Sequence, residues 1–399
     1  MTADKLHLCF DQMSSPVALH DCRELSESFP LIFPGWRIRE IPDSATPPVL
    51  NMKRLDNRYV LDGCWLDKPV SRGDRVSAIG LLVAELIRAW VRDDDNLLCL
   101  HGAAAEFAGK LVVFPSTYRA GKSILAACLA SVGTPLFCDD VLPISMQDGE
   151  AIAPGLAPRL RVPLPDELNP VFRSFIDAHN CLQGEQYLYL DLDDDLLLPK
   201  GRQSPVGAFV LLEREAGIDA CLEVVAEAEI LRQVIWQNFA REVEAPGILS
   251  LLSGMVAQSR RLRLRYDRIE DAIELLQEEF STWPRAEFDV HVKMIKPDIR
   301  HDPVSSLLPG YYLRNPEITV VEIDGQSFLA DSRGASIHHL NTMGSSIWSL
   351  ISEPITLEEI MEILLAAFPD LDRDEVRRDV SNLIGELAQK HLLHGTPDN

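Results

Sequence analysis

The spacing of apolar residues changes along the chain. Up to about residue 95 the apolar runs are short and interrupted by proline, as in LHLCF and RYVLDGCWL, which is typical of β-strands separated by turns. One longer run, Ser77–Val91, has apolar residues at helical spacing and predicts a helix that closes this region. From Leu97 the pattern becomes strand, loop, helix and strand, with strands apolar on both faces. This alternation predicts an α/β core.

Beyond the core, QDGE at 147–150 predicts a hairpin, and helical patterns follow at 226–240, 246–259 and 269–280, up to about residue 290. Proline, aspartate and serine then break all periodicity over 296–310, which indicates a domain boundary. The tail restarts as short strands and three helical segments, the second opened by a capping box of Thr356 and Glu359. We therefore predict three domains: a β-rich region over 1–95, an α/β nucleotide-binding domain over 96–295, and a small winged-helix-like α+β domain over 296–399.

The net charge of the chain indicates which classes of binding partner are expected. The chain has 399 residues and a formal net charge of −23, and proteins that bind the nucleic-acid backbone need clustered lysine and arginine. We therefore expect neither a nucleic acid nor a membrane surface as partner. The Ser77–Val91 run carries Glu85 and Arg88 and is too short to span a bilayer.

Two further features favour a cytoplasmic protein. The N-terminus lacks a basic segment followed by a continuous apolar one, so we expect no secretory signal. The eight cysteines contain no C-x-x-C pair, a pattern that favours reduced thiols over disulfides or a zinc site.

A loop between the first core strand and its helix ends in Gly121, Lys122 and Ser123, the second half of the phosphate-binding pattern G-x-x-x-x-G-K-[ST]. In such loops backbone N–H groups hold phosphate oxygens, the lysine neutralises the β/γ-phosphates and the serine binds magnesium. Ser116 stands where the first glycine is expected, and its Cβ hinders close approach of a phosphate. The predicted nucleotide-binding residues are Ser116, Thr117, Tyr118, Arg119, Ala120, Gly121, Lys122 and Ser123.

Two polar sites flank this loop in the sequence. His101 lies on the strand before it, and Asp139 and Asp140 end the strand that follows its helix. Ligands of α/β sheets bind at such strand ends. Because adjacent side chains on a strand point to opposite sides, one carboxylate is expected to face a metal and the other an acceptor hydroxyl.

The segment from His101 to Ile144 resembles the catalytic region of the HPr kinase/phosphorylase superfamily, in its histidine, its loop and its Asp-Asp pair at matching spacing. The resemblance implies transfer of a phosphoryl group from ATP, with Mg²⁺, to a serine or similar hydroxyl. It makes Asp140 the general base, His101 a supporting catalytic residue and Lys122 the phosphate contact. It also makes Ser123 the magnesium ligand, with Asp139 assisting the metal or the loop.

The chain departs from that family at two places. One is Ser116; the other is the family's later metal-binding glutamate, which has no counterpart because the passage at Pro158–Pro163 is basic. The kinase activity is therefore favoured over the reverse phosphorylase activity. Arg159 or Arg161 could contact phosphate there, or be a solvated arginine beside an acidic surface.

The tail from Leu340 to Leu393 resembles PqqD-type peptide chaperones, used as leader-peptide recognition elements in ribosomal peptide modification. The resemblance implies that a peptide adds as a strand between 335–339 and the helix at 373–391. A packing module or a DNA reader are the alternatives, and the acidic tail without a basic recognition helix disfavours DNA.

Together these features predict an ATP-dependent kinase that phosphorylates a serine or threonine of a ribosomally made precursor peptide or small protein. Two alternatives stay open: a catalytically degenerate nucleotide-binding scaffold that presents a peptide to another peptide-modifying enzyme, and a small-molecule kinase whose tail regulates it or forms a homo-oligomer. Ser116 favours the scaffold, whereas the retained His101, Lys122, Ser123 and Asp140 favour the kinase.

Overall fold

A computed structural model describes residues 4–42, 46–115, 121–239, 245–283, 293–295, 307–331 and 336–394. The chain divides into two units. The described residues within Met1–Val225, Trp236–Arg241 and Gln258–Glu287 form the first, and those within Ala226–Ile235, Glu242–Ala257 and Phe288–Asn399 form the second. Residues 226–235 and 245–257 thus group with the C-terminal residues, although their sequence position falls inside the predicted central domain.

The N-terminal region of the first unit is a six-stranded sheet covered by a long helix. Its strands run in the order β3-β1-β2-β4-β5-β6, and only β2 and β4 pair in parallel. The elements are β1 Lys5–Phe10, β2 Val17–His20, a 3₁₀ helix Arg23–Ser28, α1 Phe29–Ile32, β3 Ile38–Ile41, β4 Leu50–Leu55, β5 Arg58–Gly63, β6 Val70–Arg72 and α2 Arg75–Asp93.

Helix α2 contains the predicted helical run and begins at Asp74, whose carboxylate accepts hydrogen bonds from the N–H groups of Val76 and Ser77. Its apolar face packs on the sheet in a cluster that also includes Val141 and Tyr189. The N-terminal sheet therefore shares one hydrophobic core with residues beyond 95, and the predicted boundary at 95/96 does not separate two units.

The rest of the first unit holds three sheets, with strand orders β10-β8-β9-β17-β20-β18, β16-β12-β11-β7-β19 and β13-β15-β14. In the first of these sheets β9, β17 and β20 run parallel. The elements in chain order are β7 Leu97–His101, β8 Ala103–Phe107, β9 Lys110–Phe114, α3 Lys122–Ser131, β10 Leu136–Cys138, β11 Val141–Ser145, β12 Ala151–Ile152, β13 Arg159–Arg161, α4 Pro170–His179, β14 Asn180–Gln183, β15 Tyr187–Leu190, β16 Gln203–Ser204, β17 Val206–Arg214, β18 Cys221–Val224, α5 Glu227–Gln237, β19 Asn238–Phe239, α6 Ala245–Gln258, β20 Arg260–Tyr266 and α7 Ile269–Glu279. Two of these helices, α5 and α6, group mainly with the second unit.

Two apolar runs that the sequence pattern treats as single strands are divided in the structure. Residues 97–114 form three strands, because the chain breaks at Gly102 and turns at Ala108 and Gly109, both of which have positive φ. Residues 136–145 form two strands that belong to different sheets. Both divisions lie next to predicted site residues.

The second unit contains the predicted strands and helices of the tail. One sheet has the order β21-β23-β24-β25, and β22 pairs with both β26 and β27. Thr356 and Glu359 form the capping box at the start of α9. The elements are β21 Lys293–Ile295, β22 Tyr311–Arg314, β23 Thr319–Ile323, β24 Gln326–Ala330, β25 Ile337–Leu340, α8 Thr342–Leu350, β26 Ile355–Thr356, α9 Leu357–Ala367, α10 Arg373–Gln389 and β27 Leu393–His394.

All eight cysteines are free thiols, in agreement with the sequence pattern. Within the described ranges, no helix combines the length and the apolar character needed to cross a membrane.

Candidate functional site

The centre of the candidate site is the carboxylate of Asp140, which is held from two sides. Strands β7 and β11 pair with His101 opposite Val141, so the histidine that ends β7 lies next to Asp140. Its Nδ1 is 3.2 Å from Asp140 Oδ1, and Arg159 Nη2 donates to Asp140 Oδ2 at 3.0 Å. Each carboxylate oxygen thus has a protein partner among the described residues, and a carboxylate oxygen can accept from more than one donor.

The two aspartates do not point to opposite sides, so that part of the sequence prediction is wrong. Both line the same cavity. They occupy the corner where the chain passes from β10 into β11, and strand alternation does not apply in this bend. Asp139 is buried and accepts a hydrogen bond from the backbone N–H of Arg159 at 2.9 Å. Burial, and then the charge of Asp140, raise the pKa of the Asp139 carboxyl.

The structure places His101 on a different strand from the one that the sequence indicates. It is not on the strand that enters the loop, because the β8–β9 hairpin lies between them. Burial is the main influence on the ring and lowers the pKa of His101, although Asp140 opposes this shift. At neutral pH the ring is therefore neutral, and it can donate from one nitrogen to Asp140 while the other accepts.

Lys122 and Ser123 are the first two residues of α3, and Gly121 before them has φ +85°, a conformation that favours glycine. Lys122 is buried; burial lowers the pKa of its ammonium group, while the charges of Asp140 and Asp139 oppose the shift. The two carboxylates thus act electrostatically on the lysine. Ser116, Thr117, Tyr118, Arg119 and Ala120 lie outside the described residues, so their nucleotide-binding role stays a prediction.

Of the two arginines considered from the sequence, Arg159 belongs to the site. Its guanidinium lies over the ring of Tyr187 at 4.7 Å while it bonds Asp140. The absence of a side chain at Gly80 of α2 leaves space for the Arg159 guanidinium, since a Cβ there would lie 2.6 Å from Arg159 Nη1. Arg161 is exposed and also lies over Tyr187, at 5.6 Å.

The carboxylates open into a cavity of about 340 Å³, within the usual size range of small-molecule sites. One wall is α2, which brings Gly80, Glu85 and Arg88, so the N-terminal region contributes to the site. The sequence did not indicate this, because the three residues lie on an otherwise apolar helix. The other lining residues include Ile32, Val83, Ile87, Val141, Leu156, Ala157, Tyr189, Trp236 and Gln237.

The donors present are compatible with a nucleotide-bound Mg²⁺. No group of three or more acidic, histidine or cysteine side chains suited to a metal occurs in the part of the chain that the structure describes. Mg²⁺ that travels with a nucleotide is usually held by one or two protein oxygens plus phosphates and water. A hydroxyl at Ser123 and a carboxylate at Asp139 are donors of that kind.

The second unit has its own candidate binding site, a groove of about 490 Å³ between β25 and α10. β25 is the end strand of its sheet and pairs with β24 on one side only, as far as the described residues go. The groove floor is apolar, with Met343, Ile347 and Val380, and its helical rim carries acidic residues. This location agrees with the groove predicted from the sequence.

Residues 326–393 match the family model of coenzyme PQQ synthesis protein D (PqqD). They include β24, β25, the three helices of the tail and the start of β27. The C-terminal part of the chain is a PqqD-like domain. The match to PqqD thus covers both walls of the groove, since β25 and α10 both lie within it.

One solved structure similar to the chain is that of TbiB1 in complex with the TbiA(beta) leader peptide. It is 31% identical, and the match covers 22% of this chain and 99% of that chain, with a TM-score of 0.21. No curated protein is significantly similar to the chain.

Proposed function

We propose that the chain is an ATP-dependent kinase that transfers a phosphoryl group to a serine or threonine hydroxyl of a ribosomally made precursor peptide. The observation that carries this proposal is the carboxylate of Asp140, fixed by His101 and Arg159 beside the buried cation of Lys122. A fixed carboxylate beside a phosphate-binding cation is what transfer to a hydroxyl requires.

In the proposed reaction Asp140 accepts the proton of the acceptor hydroxyl. The acceptor oxygen forms a bond to the γ-phosphorus as the bond from that phosphorus to the β,γ-bridging oxygen breaks, and ADP leaves. His101 and Arg159 each hold one oxygen of Asp140, so they orient the base and do not compete for its remaining lone pairs. Lys122 neutralises charge on the transferring group.

Mg²⁺, held by Ser123 and Asp139 together with the phosphates, would neutralise negative charge on the triphosphate. Asp139 serves a second purpose in the protein itself. By accepting the N–H of Arg159 it fixes the backbone that carries the guanidinium on Asp140.

The cavity in front of Asp140 is the proposed acceptor site. Its walls combine apolar side chains, such as those of Ile32, Val83 and Ile87, with polar ones, so it accommodates a side chain next to Asp140. Glu85 already accepts a hydrogen bond from Trp65 Nε1 at 2.6 Å, which leaves Asp140 as the better placed base.

The PqqD-like domain is proposed to recruit the precursor peptide. An extended peptide would add to the edge of β25 that no other described strand pairs with, and place apolar side chains in the groove against α10. Because the two functions lie in one chain, binding of the leader raises the effective concentration of the acceptor segment at the kinase site.

A second candidate function is a nucleotide-binding scaffold that presents a peptide to another enzyme. Ser116 is the observation that favours it, since a Cβ at this position hinders close approach of phosphate. A small-molecule kinase is a further alternative, in which the cavity at Asp140 takes a free metabolite.

The first test measures transfer of labelled phosphate from ATP in the presence of Mg²⁺, with precursor peptides encoded by neighbouring genes as acceptors. Lys122→Ala and Asp140→Asn should each lose transfer, whereas the matched controls Lys68→Ala and Asp148→Asn, at exposed positions, should retain it. Nucleotide binding by the unmodified chain without any transfer would refute the kinase and leave the scaffold. Transfer to small molecules but to no peptide would support the small-molecule kinase.

The second test addresses peptide recruitment. Leu371 lines the groove and is 41% exposed, whereas Phe368, three residues earlier, is 46% exposed and does not line it. Leu371→Asp should weaken binding of a fluorescent precursor peptide at least tenfold, and Phe368→Asp should not. Equal affinities of the two variants would contradict the proposed groove.

A further inference from the structure

We infer that Trp236 is a specificity-determining residue of the acceptor site, whose indole contacts an apolar side chain directly next to the acceptor residue of the peptide. This inference rests on the proposed function, since the cavity at Asp140 is the proposed acceptor site. Trp236 belongs to the first unit and lines that cavity. The proposed transfer steps do not use its side chain.

Trp236 differs from other apolar residues of the cavity in its exposure. It is 69% exposed, whereas Ile32, Ile87 and Val141 in the same cavity are buried. Among the described residues, Trp236 is the only large hydrophobic residue that is both exposed and part of this cavity. A ligand that covers the indole has to extend outwards from Asp140. A peptide can do so, whereas a small metabolite bound at Asp140 leaves the indole exposed.

The apolar pattern of α5 explains why the indole lies on the surface. The helix buries Ile230, Leu231 and Val234, which share one of its faces at 3.6 residues per turn. Trp236 follows Val234 by two positions, about 200° around the helix axis, and so lies on the opposite face. It is therefore not part of the apolar face that α5 buries, and core packing gives no reason for a tryptophan at this position.

An aromatic side chain beside a binding cavity can contribute strongly to peptide binding. Tryptophan is enriched among the residues whose truncation weakens interfaces most, because it supplies a large rigid surface at a low cost in conformational entropy. Single exposed apolar residues are common on protein surfaces, but this one borders the cavity of the proposed base, Asp140. An apolar or aromatic side chain next to the acceptor would cover the indole and remove apolar surface of both groups from water.

The charged residues on the α2 wall of the cavity do not favour a charged neighbour of the acceptor. Arg88 Nε lies 3.7 Å from Glu85 Oε2, so these two opposite charges compensate each other. A charged side chain next to the acceptor would gain little from this pair and would lose water on contact with the indole. An apolar residue beside the acceptor is therefore favoured over a charged one.

Phosphate transfer to two precursor peptides tests the inference. The peptides share the leader and differ only in the residues on both sides of the acceptor serine, which are leucine in one and glycine in the other. The unmodified chain should prefer the leucine-flanked peptide. Trp236→Ala should lower kcat/KM for that peptide about tenfold and leave the value for the glycine-flanked peptide within about twofold. Trp236→Phe should retain part of the preference, and the control Val224→Ala, at an 87% exposed position outside the cavity, should retain all of it.

Tryptophan fluorescence measures the same contact without the reaction. The leucine-flanked peptide with alanine in place of the acceptor serine should shift the emission of the unmodified chain to shorter wavelengths, because the peptide covers an exposed indole. The shift should be smaller in Trp236→Phe.

The outcomes separate this inference from the proposed function. If transfer occurs without a preference for leucine, or if Trp236→Ala keeps that preference or loses activity equally with both peptides, the role of Trp236 is refuted and the kinase is not. If the unmodified chain transfers no phosphate but its emission shift depends on Trp236, the peptide contact is supported and the kinase is refuted. If neither transfer nor an emission shift occurs, both are refuted.

Discussion

Replacing Gly80 by alanine should destabilise the first unit, although alanine is the better helix former. Gly80 lies inside α2, where Gly→Ala ordinarily stabilises by about 1 kcal/mol. Here the new Cβ would lie 2.6 Å from Arg159 Nη1, whereas ordinary van der Waals contact begins at 3.4 Å. The guanidinium must therefore move by roughly 0.8 Å, the difference between these distances, and its stacking on Tyr187 leaves little room for that.

The expected size follows from the hydrogen bond that this shift breaks. A displacement of that size along the 3.0 Å bond from Arg159 to Asp140 would lengthen it beyond hydrogen-bond distance. A hydrogen bond to a charged group contributes about 1.5–3 kcal/mol, so after the gain in helix propensity the net loss is about 1 kcal/mol. Because the shift also releases one oxygen of the proposed base, phosphoryl transfer should fall by about 10- to 100-fold.

Urea unfolding and the rate of labelled phosphate transfer measure the two effects. Gly385→Ala in α10 is the control, because a Cβ there meets nothing within 4 Å, and it should stabilise its own unit by about 0.5–1 kcal/mol. If Gly80→Ala is as stable as the unmodified chain or more so, the close approach of Arg159 to α2 is refuted. Full activity with reduced stability would instead show that Arg159 does not position Asp140.

Three further predictions concern single groups. Burial raises the pKa of the Asp139 carboxyl to about 7, so the stability of the folded chain falls as the pH rises from the pKa of the unfolded chain, about 4, to that of the folded chain. The melting temperature of Asp139→Asn should therefore increase relative to that of the unmodified chain over this pH range. A difference in melting temperature that does not change with pH would contradict this prediction. Burial lowers the pKa of His101, so its contribution to stability is lost as pH falls below about 6.5, and His101→Gln should unfold with a weaker dependence on pH between 7 and 5. Thr356→Ala removes the capping box with Glu359 and should cost the second unit about 1 kcal/mol in urea unfolding, with Thr356→Ser as the variant that retains it.

The sequence predicted most helices well because their signals are local. α2 shows helical spacing of apolar residues, and α9 carries its capping box. The helices of 226–240, 246–259 and 269–280 are likewise found close to their predicted places. The match of residues 326–393 to PqqD agrees with the resemblance of the tail, which also rests on local patterning.

The strands around the candidate site could not be predicted to the same degree. A continuous apolar run is compatible with one strand or with several, because only tertiary pairing decides where the chain turns. The apolar pattern therefore predicts one strand over 97–114 and places His101 on the strand that enters the loop, whereas the structure has three strands there. A single strand over 136–145 likewise predicts that the side chains of Asp139 and Asp140 diverge, whereas the two residues occupy a corner between two sheets.

Gly80 and Arg159 lie next to each other in the structure although 79 positions separate them in the sequence. A glycine within an apolar helix and an arginine in a proline-rich passage carry no shared sequence signal. The two residues meet only because α2 packs next to β13 and β15. The absence of a Cβ at Gly80 leaves the space that the Arg159 guanidinium occupies. A long-range pair of this kind cannot be inferred from a single sequence.

The distribution of charge around α3 connects the proposed reaction with the acidity of the chain. A net charge of −23 repels a triphosphate at long range, so binding depends on local cations in a site of low dielectric constant. Two cavities of the first unit carry carboxylates, one with Asp139 and Asp140 and the other with Asp267, and the charges of Asp139 and Asp140 act on Lys122. The acidic cavities disfavour the triphosphate and leave the start of α3 as the favourable place for it. In the proposed kinase, this distribution of charge directs the terminal phosphate of ATP towards the start of α3.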